Sequence, residues 1–438
     1  MHSIRQGGSN VRPVYMVSGG VSKFAKARPD ATFQKIVKES FDYAMNDVPR
    51  LKHSMIDGSV VSYFSDHFTR QLMAGIMAVD YLGLCPKPNK RIEGGGATGG
   101  LCFQAGWEAV ASGRMNVCAA FGFETMSHVP TWKGNEFIAL ASDVNFDYPV
   151  GGFYSGYYAM MVNRHMHEFG TTVEQLAMVS VKNHMNAYGN PYAQKRRKLT
   201  IADVRNSAMV AYPLTLLDIC VKSDGAATCI LADEETAFRL TDHPVKITGV
   251  GTGTDMMRMA DRPHGEVLLA PNEKKGDYRN LKYPGVHSFR AGRSAGLQAY
   301  KMAGITDPLK QLDFVELHDA YTSSEIQTYE DLALCKYGDG GKFVEAGYPF
   351  MPQIDYGMKL PMKGTLPVNP SGGLIACGHP VGATGLMQAV FAFWQIQGSI
   401  KKHYGNGELQ LKKADRGLIH SHAGTGTYVT VSIMERGW

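Results

Sequence analysis

Strand-like and helix-like stretches alternate along this chain, and glycine-rich turns join them. The alternation admits few folds. A strand lying parallel to its predecessor needs a crossover, and the crossover helix covers a face of the sheet. Val14–Gly20 is an apolar run of strand length, and Thr32–Val48 carries Phe33, Ile36, Val37, Phe41 and Ala44 at helical spacing. Ser59–Ser65 reads as strand, Arg70–Leu84 as helix, Thr98–Gly113 as helix and Met115–Glu124 as strand. This order predicts an α/β chain with a parallel or mixed sheet covered on both faces.

The second half repeats the pattern. Helix Ser288–Gly304 leads to strand Leu312–Asp319, helices follow at Ser323–Leu334 and Thr384–Ile400, and Gly417–Met434 reads as two strands about a tight turn. The halves share element order rather than sequence, which suggests duplication. Residues 127–222 differ, with long helical stretches at Phe153–Gly170 and Thr172–Gly189. They read as an insertion. The expected division is 1–126 with 223–265, an inserted unit 127–222, and a second half 266–438.

Glycines number 49 of 438, above the average share of roughly 7%. They cluster at Gly94–Gly100, Val250–Asp255, Ser371–Gly385 and His422–Thr427, which suggests loops converging on a ligand. Gly94–Gly100 follows a strand and opens a helix but lacks a clear ribose-binding acid, so it does not read as a dinucleotide site. The net charge of +5 is mild, and the densest basic run is Gln194–Lys198. Without a reader motif this does not indicate nucleic acid. A solvated loop and a contact to a phosphate-bearing small ligand both fit. No apolar run reaches the roughly 18–20 residues of a spanning helix, and the opening residues lack a leader's apolar core. A cytoplasmic protein with no membrane partner is expected. Seven cysteines without a CxxC pair argue against a disulfide framework or a metal site in the chain.

Three stretches carry a resemblance. Asn369–Gly385, with its Gly-His-Pro turn, resembles the C-terminal signature of thiolases. Glu316–Cys335 resembles the His-Asp-Cys-Phe loop and helix of sterol-carrier-protein-type and archaeal thiolases, and Ser180–Gln194 resembles their loop domain. Arg91–Gly106 stands where thiolases carry the nucleophile loop. The resemblance implies the thiolase fold: five layers, αβαβα, in two similar halves with an inserted loop domain. It also implies a coenzyme A thioester substrate, no tightly bound cofactor, a homodimer built through the first half, and a small zinc-ribbon/OB-fold partner protein.

The resemblance assigns roles residue by residue. His379 would activate the nucleophile and help hold an enolate-stabilising water. His318 would support the oxyanion site, Asp319 would orient its loop, and Gly424 lies in the final glycine loop. Lys195, Arg196 and Arg197, with Ser371 and Gly372, would meet coenzyme A. The departures are sharper. Gly96 stands at the nucleophile position, Ala320 replaces the loop cysteine, and the second family cysteine, of a Cys-x-Gly loop, is placed at Ser421. Cys102, further along the helix, reads as a core residue. Cys377, two residues before His379, is either a relocated thiol or a small filler. Tyr321 either offers a phenol to a substrate carbonyl or packs.

The expected activity is therefore a thiolase-type acyl-CoA C-acyltransferase. It would cleave or form a β-ketoacyl-CoA without the usual acyl-enzyme cysteine, and a catabolic role on lipid or aromatic acyl groups fits. Two alternatives stay open: retro-aldol cleavage of a β-hydroxyacyl-CoA, and a non-catalytic acyl-CoA-binding scaffold.

Overall fold

A computed structural model describes residues 11–262, 266–279, 281 and 287–438. Residues 1–10, most of the stretch read above for a leader, lie outside it. Nine strands form the main sheet: β1 Val14–Val21, β2 Gly58–Ser62, β3 Asn89–Ile92, β4 Val117–Thr125, β5 Asp224–Asp233, β6 Val245–Thr254, β7 Phe314–Glu316, β8 Arg416–Ala423 and β9 Tyr428–Arg436. The helices that position the site are α1 Phe33–Asp47, α2 Ala74–Tyr81, α3 Thr98–Ala111, α4 Tyr154–Phe169, α5 Val173–Gly189, α6 Glu234–Leu240, α7 Arg290–Ala303, α8 Thr322–Asp331 and α9 Thr384–Ile396.

The strand order is β3-β2-β4-β5-β1-β6-β9-β8-β7. Read outward from its centre, the sheet repeats itself. In the first half β1 pairs antiparallel with β5, β5 antiparallel with β4, and β4 parallel with β2. In the second, β6 pairs antiparallel with β9, β9 antiparallel with β8, and β8 parallel with β7. The duplication suggested by element order is thus present in the pairing. Within the sheet the halves pair through two residue pairs, Tyr15 with Lys246 and Met16 with Val245. By contrast β6 pairs with β9 along its whole length, from Val245–Arg436 to Thr254–Tyr428. A division at 265 puts β6 in the first half; its hydrogen bonds put it with the C-terminal strands.

Five layers follow from the burial pattern. Helix α1 turns Phe33, Ile36, Val37, Phe41 and Ala44 onto the first half of the sheet, as the helical spacing predicts, and α2 and α6 share that face. Helices α3 and α9 lie between the halves, and α7 covers the second half with α8 beside it. All thirteen residues of α9 are buried, as a helix enclosed between the two halves of the chain must be. Each Leu or Phe it removes from water contributes about 1.5–3 kcal/mol. Cys102, on α3, is in this central core.

The two central helices touch backbone to backbone. A Cβ on Gly99 would lie 2.6 Å from the Gly385 nitrogen, and one on Gly385 would lie 2.1 Å from the Gly100 nitrogen. No larger residue fits this crossing. The same tetrapeptide opens both helices: Gly96-Ala97-Thr98-Gly99 and Gly382-Ala383-Thr384-Gly385. Their N-termini converge, and the candidate site is built around them.

Candidate active site

His379 sits in a turn that fixes its ring. Gly373–Cys377 forms a single π-helical turn, and Gly378 follows at φ 127°, a conformation open to glycine. The His379 backbone N–H donates to Ser223 Oγ at 2.9 Å. The Thr384 hydroxyl donates to the Pro380 carbonyl at 3.0 Å, so its oxygen accepts from His379 Nδ1–H at 2.7 Å. This leaves Nε2 as a bare acceptor. Burial pushes the ring down to about 3, which keeps it neutral.

His318 follows strand β7. Its ring lies 4.9 Å from His379, at 83°, and 4.2 Å from His422. Its backbone N–H donates to His420 Nδ1 at 3.4 Å. Burial, then the neighbouring His422, His379 and His420, hold it well below the usual imidazole range. His420 and His422 come from alternate positions of β8, which lie on one face of a strand. Burial lowers both, His420 to about 3. The result is four neutral imidazoles gathered from three segments.

Buried carboxylates hold the loops beneath them. Asp319 accepts from the backbone N–H groups of Leu374 and Ile375, at 2.6 and 3.3 Å, and from Asn183 Nδ2 at 2.7 Å. It therefore ties the π-helical turn before His379 to α5. Glu325 accepts from Asn183 and Asn369 and pairs with Lys182 at 2.9 Å. Glu124, ending β4, accepts from Phe64 N at 2.7 Å and Gly382 N at 3.0 Å, tying the first half to the loop after His379. Burial pushes Glu124 up to about 8.

The loop at Gly96 has no room for a side chain. A Cβ on Gly96 would stand 2.5 Å from the His422 carbonyl oxygen and 3.3 Å from His318 Cε1. Cys377 turns into the core, between Asn190 Nδ2 at 3.6 Å and Met387 Sδ at 3.8 Å, and burial raises its thiol well above the usual range. Of the two readings left open for it, the geometry gives the filler. Ala320 is buried beside them. Tyr321 stacks on Tyr158, with centroids 4.2 Å apart at 21°, and its hydroxyl lies 3.2 Å from Ser155 Oγ.

Three expectations need correction. Ser421 does not face the histidines; its hydroxyl donates to Gln388 on α9 at 2.9 Å. The residue at the end of β8 that joins the cluster is His422. The signal was present, since the Cys-x-Gly spacing ends on Gly424 only when it starts at 422. Ser371 is buried with its hydroxyl on Glu316 at 2.6 Å, and a Cβ on Gly372 would meet the Ala187 backbone at 2.7 Å. Neither is open to coenzyme A. The basic run behaves otherwise. Arg196 and Arg197 are exposed and Lys195 is half-buried, and the Gln194 and Lys195 N–H groups donate to the Cys377 and Ala376 carbonyls at 2.9 and 3.0 Å. The run is thus strapped to the turn that carries His379. Tyr158, on α4, was not anticipated. Its hydroxyl contacts His422 Nε2 at 2.7 Å and the Gly424 carbonyl at 2.8 Å.

A cavity of about 1010 Å³ runs past Met185, Tyr188, Leu312 and Leu409, and none of the four histidines lines it. The cleft against Gly424, below Tyr154 and Tyr157, is about 10 Å³, room for about one water. Cavity size does not mark the chemistry here; the histidines and the loops tied to them do. No three His, Cys, Asp or Glu side chains among the described residues are arranged to share a metal ion, and no helix there is long and apolar enough to cross a membrane.

Residues 14–208 match the family described as thiolase, N-terminal domain, and residues 280–436 the thiolase C-terminal domain-like family. The acetyl-CoA acetyltransferase of Methanothermobacter thermautotrophicus is 36% identical over 97% of this chain and 100% of its own length. The benzoylsuccinyl-CoA thiolase subunit BbsB of Thauera aromatica is 30% identical over 88% of this chain and 89% of its own. The solved Ltp2-ChsH2(DUF35) aldolase superposes with a TM-score of 0.77 at 23% identity, covering 98% of this chain and 99% of that one. The chain belongs to the thiolase family, and it has the thiolase fold.

Proposed function

We propose that this chain is an acyl-CoA C-acyltransferase of thiolase type that breaks or makes the Cα–Cβ bond of a β-ketoacyl-CoA without an acyl-enzyme. One observation carries the reading: His379 presents a bare Nε2 beside His318, while Cys377 turns away into the core against Met387. In the thiolytic direction, coenzyme A gives its thiol proton to His379 Nε2. The thiolate adds to the β-carbonyl carbon, whose oxygen takes a hydrogen bond from His318. The Cα–Cβ bond breaks, and the released enolate takes the proton back from His379 to give the shorter acyl-CoA. Two thioesters result. Fixed donors and acceptors in a site shielded from water supply much of such a rate enhancement.

The exposed Arg196 and Arg197, beside the loop carrying His379, support a contact to the coenzyme's phosphates. The exposed apolar face of α2 and the residues before it (Leu72, Met73, Ile76, Met77, Tyr81) supports a protein contact there, and a homodimer is the occupant we propose. A small zinc-ribbon/OB-fold subunit is the further partner, supported by the neighbour solved as a complex.

The closure of Gly96 by the His422 carbonyl favours a second reading. A retro-aldol cleavage of a β-hydroxyacyl-CoA needs no acyl carrier: His379 takes the β-hydroxyl proton, the Cα–Cβ bond breaks, an aldehyde or ketone leaves, and the acyl-CoA enolate takes the proton back from His379. The test is product analysis by mass spectrometry, with a panel of β-keto- and β-hydroxyacyl-CoAs and any co-purifying subunit. Two thioesters formed only with free coenzyme A establish the first reading. A free carbonyl product formed without coenzyme A establishes the second. Tight acyl-CoA binding with no turnover overturns both and leaves a scaffold.

A further inference from the structure

We propose that Tyr158 is a positioning residue. It sets the tautomer of His422, so that His422 Nδ1 stands in the site as a hydrogen-bond acceptor for the substrate's hydroxyl or enol proton. The inference rests on the histidine cluster being the reactive centre proposed above.

The argument begins with one proton. The Tyr158 hydroxyl lies 2.8 Å from the Gly424 carbonyl and 2.7 Å from His422 Nε2. A carbonyl only accepts, so the phenolic proton goes to Gly424; otherwise two oxygens would face each other at that distance with nothing between them. The Tyr158 oxygen must then accept, and His422 Nε2 must carry the imidazole proton. The lone pair is left on Nδ1, a buried atom with no hydrogen-bond partner. A buried bare acceptor is costly unless something fills it, and its ring lies 4.2 Å from His318. Burial holds the Tyr158 phenol protonated and the His422 ring neutral, so neither escapes the constraint by ionising.

The rest of Tyr158 is placed to hold this geometry. Its ring stacks on Tyr321 and meets Phe289 edge-on, with centroids 6.3 Å apart at 78°. Tyr321 is held in turn by Ser155, one turn earlier on α4. The helix supplying the phenol belongs to the segment read as an insertion, whereas His422 lies near the end of β8 in the C-terminal half. The insertion thus determines which nitrogen of a distant base is free.

The test is nitrogen-15 NMR of histidine-labelled protein, with kinetics of Tyr158→Phe, which removes the hydroxyl and keeps the stack. In the wild type, His422 is expected to carry its proton on Nε2; a proton on Nδ1 overturns the proposal without any variant. In Tyr158→Phe the Nδ1–H form should appear, and kcat should fall about 10- to 100-fold with KM changed less than about 3-fold. On a His422→Asn background the same change should cost nothing further. An unchanged tautomer, or losses that multiply in the double variant, overturns it. The NMR reading needs no substrate, so it stands or falls apart from the proposed reaction.

Discussion

The α-carbon of Gly96 lies so close to the carbonyl of His422 that a methyl group there would sit 2.5 Å from the oxygen. The backbone of one half therefore fills the space that a nucleophilic side chain from the other would need. Gly96→Cys should not restore an acyl-enzyme. Intact-mass spectra after incubation with acyl-CoA should show no added acyl group, and forcing the side chain in should cost about 1–3 kcal/mol of stability. A stable thioester adduct on the introduced thiol would show that the strand end moves aside freely.

His379 is the base that the proposed chemistry needs, and Thr384 fixes its free nitrogen. His379→Gln is expected to lower kcat by about 10²- to 10⁴-fold. Thr384→Val frees the ring to rotate and should cost about tenfold, with little change in KM. Steady-state kinetics on whichever substrate turns over decides both. Equal losses in the two variants would mean that the threonine matters for more than orientation.

Cys377 should prove dispensable for chemistry. Its thiol packs against Met387 in a fully buried position. Cys377→Ser should keep turnover within about threefold, while burying a hydroxyl there costs roughly 1–3 kcal/mol. Thermal melts and rates on the same preparation separate the two effects. A loss of turnover in a variant that melts normally would return Cys377 to the mechanism.

The depressed histidines give the pH profile a distinctive shape. With His379 held down to about 3, the base stays neutral through mildly acidic conditions. The acid limb of kcat/KM should therefore be missing near pH 6.5, where an ordinary histidine titrates. Between about 3 and 6.5 the unfolded chain binds protons at these positions and the folded chain does not. Their contribution to stability thus falls as pH falls through that window. A profile with a clear limb near 6.5 would contradict the buried, neutral assignment.

Glu124 works in the opposite direction. Burial raises it to about 8 from an ordinary value of 4.5, so between those values the folded chain holds a proton that the unfolded chain has lost. Its contribution falls as pH rises through that window. Glutamine keeps an acceptor for Phe64 N and Gly382 N. Glu124→Gln should therefore match the wild type near pH 5 and out-melt it near pH 8. Parallel melting curves across that range would show that Glu124 titrates as if exposed.

Much of the fold is legible in the sequence because period and length identify its elements. The α1 stripe from Phe33 to Ala44 faces the sheet as its spacing requires, and the Gly-His-Pro turn pointed to His379. What failed was finer than an element. In β8 a shift of one residue exchanges the two faces of the strand, so placing the loop at Ser421 instead of His422 reversed which side chain meets the site. Ser371 and Gly372 failed for another reason: neighbouring a functional turn says nothing about exposure, and both sit beneath α5. Tyr158 had no local signal, because it meets His422 264 positions along the chain through topology alone.

The crossing of α3 and α9 also bears on how such a chain changes over generations. Where two helices touch through bare backbone, a substitution in either half collides with main chain that cannot be altered in compensation. Gly99 and Gly385 are therefore points at which neither half can drift independently of the other. The two halves share Gly-Ala-Thr-Gly at the place where divergence has least room. Around it, one half carries Gly96 and the other His379, so the two halves differ most in side chain beside the part of the molecule where they are most alike.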